Sequence, residues 1–474
     1  MLSTVSQLLT HHVSEQANQT SLNSGARKTR QADYYLQYLA IFSQSKSVVV
    51  EQDIFNQQGA LIIPADAILN PKISKQLLGH TLQQPIEFNV GIKQTLSSNR
   101  LQEIYQKIIL NNPDLNFLNT GLEVSELLVQ GCDYINDYPI VWQKLTVMQS
   151  TCPDLFMHAL ISGYMCLSVS KKMGEKPSEN LHAFVAGLIH DLPMLSLNPK
   201  LLNDDLEYSP EQWREMQSHC EIGYDKFSMI SGFPESISLA ILEHHEHADG
   251  SGYPYGKSAP DLSITGQIVA LVDTCIGIYS RESTVEKLGI DALLPVLEMN
   301  KEMFLPSVYT AATDILSAIP CQLRRVYSNE DMPEVINGLM LDNEEIQHDY
   351  CVLYGLVTSV KPHLKAEALT HTLINMAARI NKSLIASGLL KNEHSEWMVI
   401  SCGAQQEYDY VAIEYLEVMY GEIRWQIKQL GNLVYLLVND HLINEQIQIH
   451  KIERGLLDIA HYHQNNQHFN AIRL

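Results

Sequence analysis

Paired cysteines are missing from this 474-residue chain. Its eight cysteines, at 132, 152, 166, 220, 275, 321, 351 and 402, include no Cys-x-x-Cys. A disulfide framework is therefore not expected, and a reducing compartment fits the pattern. Positive charge is also scarce, with 32 Lys and Arg against 54 Asp and Glu, a formal net charge of -22. Such a surface does not displace counterions from a polyanion, so no nucleic-acid polymer is expected as a partner. No apolar run reaches the length of a bilayer span: 433–438 is strand-length and 181–189 is too short. The first residues lack a basic stretch followed by an apolar one, the mark of a secretory signal. These absences together predict a soluble, cytoplasmic protein with no membrane span. No internal repeat and no long low-complexity segment is visible.

Hydrophobic residues make up 45% of the chain, enough for ordinary cores, and the length calls for two to four domains. Residues 1–45 read as a polar lead rich in Ser, Thr, Gln and Asn, followed by a helix. Residues 46–145 read as a small α/β regulatory module with linker helices. In it Val48-Val49-Val50 is a strand, Asn56-Gln57-Gln58-Gly59 a turn, 60–63 a second strand, and 71–78 a helix opened by Pro71. Residues 150–325 read as helices over 154–173, 181–190, 210–219, 234–245, 264–278 and 288–319. Ser209-Pro210-Glu211-Gln212 is a helix start with Ser as N-cap and Gln at the capping-box position. Residues 330–474 read as an α+β domain of unknown role. It has a helix at 366–384, strands at 397–402, 410–419, 423–428 and 433–438, turns at Gly421-Glu422 and Gly431-Asn432, and a last helix at 442–462. The expected fold class is multidomain and mainly α: a central all-α helical bundle flanked by a small N-terminal α/β module and a C-terminal α+β domain with an antiparallel meander.

Within the central region, imidazoles and carboxylates recur in five patches: His158, His190-Asp191, His219, His244-His245 and Asp273. Taken singly, most have a plain explanation. His190 ends a helix, where positive charge suits the dipole. Asp273 is harder to explain, because it interrupts Ile268-Val269-Ala270-Leu271-Val272 and an unpaired carboxylate there would be costly. Taken together, the patches match what a helical bundle needs to aim one donor per helix at a common centre. Asp191 can bridge two metals, and the histidines can end the cluster as neutral donors. Two close metals would also supply the positive field that this acidic chain lacks for a phosphate substrate.

Residues 150–325 resemble the HD-GYP family of bacterial cyclic di-GMP phosphodiesterases, a branch of the HD metal-dependent phosphohydrolases. The resemblance is carried by Gly187-Leu188-Ile189-His190-Asp191, by His219-Cys220-Glu221-Ile222-Gly223-Tyr224, and by His244-His245-Glu246 with Asp249-Gly250-Ser251-Gly252-Tyr253-Pro254. Ile268-Val269-Ala270-Leu271-Val272-Asp273 completes it. It implies His158, His190, Asp191, His219, His244, His245 and Asp273 as metal ligands, with Asp154 as the carboxylate for a third ion where one is present. It implies two or three divalent ions, iron or manganese, with Asp191 and His190 at the catalytic centre. Asp249, Gly252, Tyr253, Pro254 and Arg281 are implied at the substrate pocket. The implied partners are a cyclic dinucleotide and, through the Gly252-Tyr253-Pro254 loop, diguanylate cyclase domains; a homodimer is the default assembly.

The chain departs from that family in one direction. Met194 stands where the family has a Lys, Asp204 replaces a second Lys, Gln267 an Arg, and Ile276 a second Asp. The basic segment that usually follows is reduced to Tyr279-Ser280-Arg281-Glu282-Ser283, with Arg281 its one cation. Each lost charged contact would cost about 1.5–3 kcal/mol of phosphate binding. Two functions follow from the resemblance: a cyclic-dinucleotide phosphodiesterase, or a weak or inactive metal-bearing protein that binds a nucleotide or a protein partner in signalling.

Overall fold

The computed structural model describes residues 34–77, 79–202, 208–281, 283–320, 325–365, 368–387, 397, 400, 407–439, 442–443 and 446–471. α1 (Tyr35–Phe42) opens it and buries Tyr35, Leu36, Tyr38, Leu39 and Phe42. β1 (Val48–Val50), β2 (Ile54–Phe55), β3 (Leu61–Ile63), β4 (Ile68–Leu69), α2 (Pro71–Leu77) and β5 (Val90–Ile92) follow. Two small antiparallel sheets result: β4-β1-β5, with Val48 opposite both Leu69 and Ile92, and the β2-β3 hairpin. The expected strands at 48–50 and 60–63 therefore both form, but in different sheets.

Four helices then lead inward: α3 (Ser98–Asn111), α4 (Pro113–Leu122), α5 (Ser125–Tyr134) and α6 (Pro139–Thr151). Proline opens two of them and the next two, where its missing N–H is not needed. The bundle itself is built from α7 (Pro153–Lys172), α8 (Pro177–Ile189), α9 (Pro210–Gln217), α10 (His219–Ser228), α11 (Glu235–Glu243) and α12 (Ile264–Arg281). Ser209 and Gln212 form the reciprocal capping box at the head of α9. That helix stops at Ser218, so His219 heads a helix of its own instead of ending the previous one. α13 (Ser283–Leu288), α14 (Leu293–Met299) and α15 (Pro306–Ala318) close the bundle.

The last part is α16 (Met332–Val360), α17 (Ala368–Ser387), α18 (Glu407–Asn439) and α19 (Gln446–Ala471). The antiparallel meander expected here is overturned. The strands at 410–419, 423–428 and 433–438, and the turns at Gly421 and Gly431, all lie inside the single helix α18. Its buried side chains show why: Tyr420, Ile423, Ile427, Leu430, Val434 and Leu437 recur every three or four residues, a helical stripe. Their β-branched and aromatic character suggests strands when each short run is read alone. Of the strand expected at 397–402, only residues 397 and 400 fall among those described.

One apolar core runs from Tyr35 to Ile319 and takes in Val418; a second runs from Met332 to Ile459. The sheets and the bundle thus share a core, and the C-terminal helices build their own. Glu87 joins module and bundle: fully buried, it lies 2.9 Å from both Lys144 of α6 and Lys226 of α10. Burial disfavours its charge, but the two ammonium groups outweigh burial and hold its carboxyl down to about 2. Among the described residues, no helix is long and apolar enough to cross a membrane.

Candidate metal centre

The donors come from five places in the bundle. α7 supplies His158, the end of α8 supplies His190 with Asp191 next to it, and the head of α10 supplies His219. The end of α11 supplies His244 and His245, and the middle of α12 supplies Asp273. Gly187 allows α8 to lie close to α7, since a Cβ there would meet Cys166 Sγ and the Ser162 carbonyl, both at 2.7 Å. Two groups of donors result, His158, His190, Asp191 and Asp273 in one, His219, Cys220, His244 and His245 in the other. Every sequence-expected ligand is in these groups except Asp154, which is exposed and in neither.

Three rings are oriented in one way. Nδ1 of His190, His219 and His244 lies 2.8, 2.6 and 2.6 Å from the carbonyl oxygen three residues earlier, of Gly187, Met216 and Ile241. A carbonyl only accepts, so each Nδ1 carries a proton and each ring turns its Nε2 inward, where a neutral ring presents a lone pair. Nε2 of His219 and of His244 then stand 2.9 Å apart, and those of His158 and His190 3.4 Å apart.

Asp191 lies between the groups. Its Oδ1 faces Nε2 of His219 at 3.6 Å and of His244 at 4.0 Å, and its Oδ2 faces His190 at 3.4 Å and His158 at 3.8 Å. Asp273 spans the other side, with Oδ1 3.0 Å from His158 and Oδ2 3.8 Å from His245 Nδ1.

This donor set fits a pair of cations. Facing lone pairs repel unless a proton or a cation sits between them, and the buried Asp191 Oδ1 has no hydrogen-bond partner. Burial, reinforced by the neighbouring imidazoles, holds His244 well below the usual histidine range, and burial brings His245 down to about 3. Both are therefore neutral donors near pH 7. Burial also opposes charge on His190, but Asp191 and Asp273 outweigh it and push its pKa well up. The two carboxylates thus call for positive charge at this point. Burial would raise Asp191, but His190 and His219 outweigh it and keep the carboxyl ionised.

The signature loop lies against this centre. The Tyr253 ring stacks on His245 at 4.6 Å, and the Trp213 ring meets it edge-on at 6.1 Å. Gly252 sits so close to His245 and Glu246 that any Cβ would collide with their backbone. Glu246, whose role was not apparent in the sequence, braces the loop from below: its oxygens accept from the N–H groups of Tyr255 at 2.6 Å and Lys257 at 2.9 Å. Its burial pushes its carboxyl up to about 7 in spite of those donors. From the other side α17 grips the loop. Thr372 donates to the Gly252 carbonyl at 3.1 Å, Asn375 to that of Gly250 at 3.2 Å, and Arg379 Nε lies 3.4 Å from Asp249. No local signal in the sequence links these residues to the loop.

On the substrate side, four residues named from the sequence have partners in place. Asp249 is engaged with Ser251 and Arg379. Arg281 pairs with Glu422 of α18 at 2.8 Å and lies over the Trp425 ring. Met194 packs with Leu197 and Leu201 in an apolar cluster, and Gln267 donates to the Glu246 carbonyl at 2.8 Å. Asp204 lies outside the described residues.

A family model described as an HD domain matches residues 145–277. A 3'3'-cGAMP-specific phosphodiesterase (number 3) of Vibrio cholerae is 21% identical over 164 residues, covering 34% of this chain and 35% of that protein. A cyclic di-GMP phosphodiesterase of Thermotoga maritima is 25% identical over 165 residues, 34% of this chain and 45% of that protein. The cyclic di-GMP phosphodiesterase response regulator RpfG of Xanthomonas campestris is 28% identical over 130 residues, 27% of this chain and 34% of that protein. The chain thus spans less than half the length of each of these relatives. Residues 145–277 match the HD domain family, and their HD, HH and Gly-Tyr-Pro segments support the HD-GYP family for this part of the chain.

Proposed function

We propose that this chain is a metal-dependent phosphodiesterase of the HD-GYP type, acting on a cyclic dinucleotide, with cyclic di-GMP its first candidate. The observation that carries the proposal is the placement of Asp191, whose two oxygens face two different sets of imidazoles. His158, His190 and Asp273 would hold one divalent ion and His219, His244 and His245 the other, with Asp191 shared. Iron or manganese suits this nitrogen and oxygen set. When bound, the ions supply positive field for the phosphate oxygens and acidify water, which this acidic chain does not do by itself. The protein's own part is to fix the rings through their Nδ1 bonds and to keep His244 and His245 neutral. Tyr253 shields His245 from bulk water.

The test is metal content and cleavage of cyclic di-GMP and 3'3'-cGAMP on one sample. Cleavage by wild type, lost in Asp191→Asn, is the expected result. Full metal loading with no cleavage of either compound would overturn the proposal.

A second reading, a metal-bearing signalling protein without turnover, is favoured by one observation. Met194 is packed into an apolar cluster, so the phosphate-gripping Lys of the family has no counterpart at that position. Dinucleotide binding without cleavage in the same experiment would select it. Contact between the loop and a diguanylate cyclase domain would have to accommodate α17, which already bonds the Gly250 and Gly252 carbonyls.

A further inference from the structure

Beside the metal centre, between α7, α12 and α15, lies a cavity of about 360 Å³. Its walls include Ile161 and Met165 of α7, Leu271 and Ile276 of α12, and Ile315 and Leu316 of α15. His158 also lines it, so it reaches the first donor group. The polar lining carries two carboxylates, Asp114 and Asp154, beside Asn112, Tyr279 and Ser280, and no Lys or Arg is among the described lining residues. Asn112, Asp154 and Met157 are exposed and mark the mouth.

The volume is that of a small-molecule site. Water inside would find few partners along such walls, and an empty space would forfeit dispersion contacts all round. Met157 and Met165 are flexible enough to adapt to an apolar guest. Acidic groups at the mouth repel an anion and accept from a hydroxyl. Ile276 of α12 lines the cavity one turn beyond Asp273, so this flank of the centre is apolar. We propose that the cavity binds an uncharged amphipathic molecule, its alkyl body against Ile161, Ile276 and Leu316 and its hydroxyl head at Asp114 and Asp154. This goes beyond the proposed hydrolysis and does not depend on it.

The test uses the full-length protein and N-phenyl-1-naphthylamine, a neutral probe that brightens in apolar surroundings. Bound probe is competed with decanol, decanoate and cyclic di-GMP. Decanol is expected to displace it, and decanoate to compete about tenfold less well, the scale of one unfavourable charge contact. Ile276→Trp fills the cavity and is expected to abolish probe binding while metal content stays unchanged. Met157→Lys, at an exposed position, is expected to shift the preference towards decanoate. Failure of the wild type to bind the probe would overturn the proposal. So would Ile276→Trp that keeps its metal and binds the probe as wild type does, equal competition by decanol and decanoate, or displacement by cyclic di-GMP alone.

Discussion

The two flanks of the metal centre are built by opposite means. On the loop flank, backbone groups of residues 250–257 are held by Glu246 from below and by Thr372 and Asn375 from α17, with the Arg379 guanidinium as ion-pair neighbour of the Asp249 carboxylate. On the other flank, α7, α12 and α15 meet through aliphatic side chains around a cavity. Hydrogen bonds are directional, so the first flank has one geometry or none. Apolar contact is non-directional, so the second tolerates changes of shape. The difference suggests where each property resides: the donor positions depend on the braced flank, and ligand preference can vary on the other.

The largest expected effect lies between the flanks. Asp191→Ala should lower metal affinity by more than about a hundredfold, since even outer partners of a metal site are worth 10–100-fold; metal content after dialysis measures it. Next comes the loop flank. Arg379→Met leaves Asp249 without its buried cation and should destabilise the fold by about 3–5 kcal/mol, read from urea denaturation. A variant as stable as wild type would remove the claimed rigidity of this flank.

Glu87 provides a reference away from both flanks. Its carboxyl is depressed to about 2 from an ordinary 4.5, so its contribution is complete above about 4.5 and lost as pH falls through 2. The urea midpoint of wild type should therefore drop more steeply than that of Glu87→Gln over that acid window. The smallest effect belongs to the cavity wall. Ile161→Val should cost no more than about 0.5–1.5 kcal/mol and leave metal content unchanged. If it instead released metal, the cavity flank would be as tightly coupled to the centre as the loop, and the contrast would fail.

Legibility in the sequence follows the same division. His158, His190, Asp191, His219, His244, His245 and Asp273 could be found because donor chemistry is a property of each residue, and Asp273 has no easy apolar excuse. Helix starts such as Ser209-Pro210 were equally local. Within α18, short β-branched runs look like strands until the three-and-four spacing is followed across 33 residues. Arg281 pairs with Glu422, 141 residues away, and no local pattern announces that pairing.

By itself, the sequence determined the candidate donor set and the acidic character of the chain, and its resemblance implied missing cations at Met194 and Gln267. Only the tertiary structure decided that Asp191 divides its oxygens between two groups of rings. It also decided that α17 holds the signature loop and that Ile276 opens onto an apolar cavity. The physical reason is range: residue chemistry and helix caps act within a few positions, whereas the Thr372–Gly252 bond joins residues 120 apart, and such pairings exist only once both cores have packed.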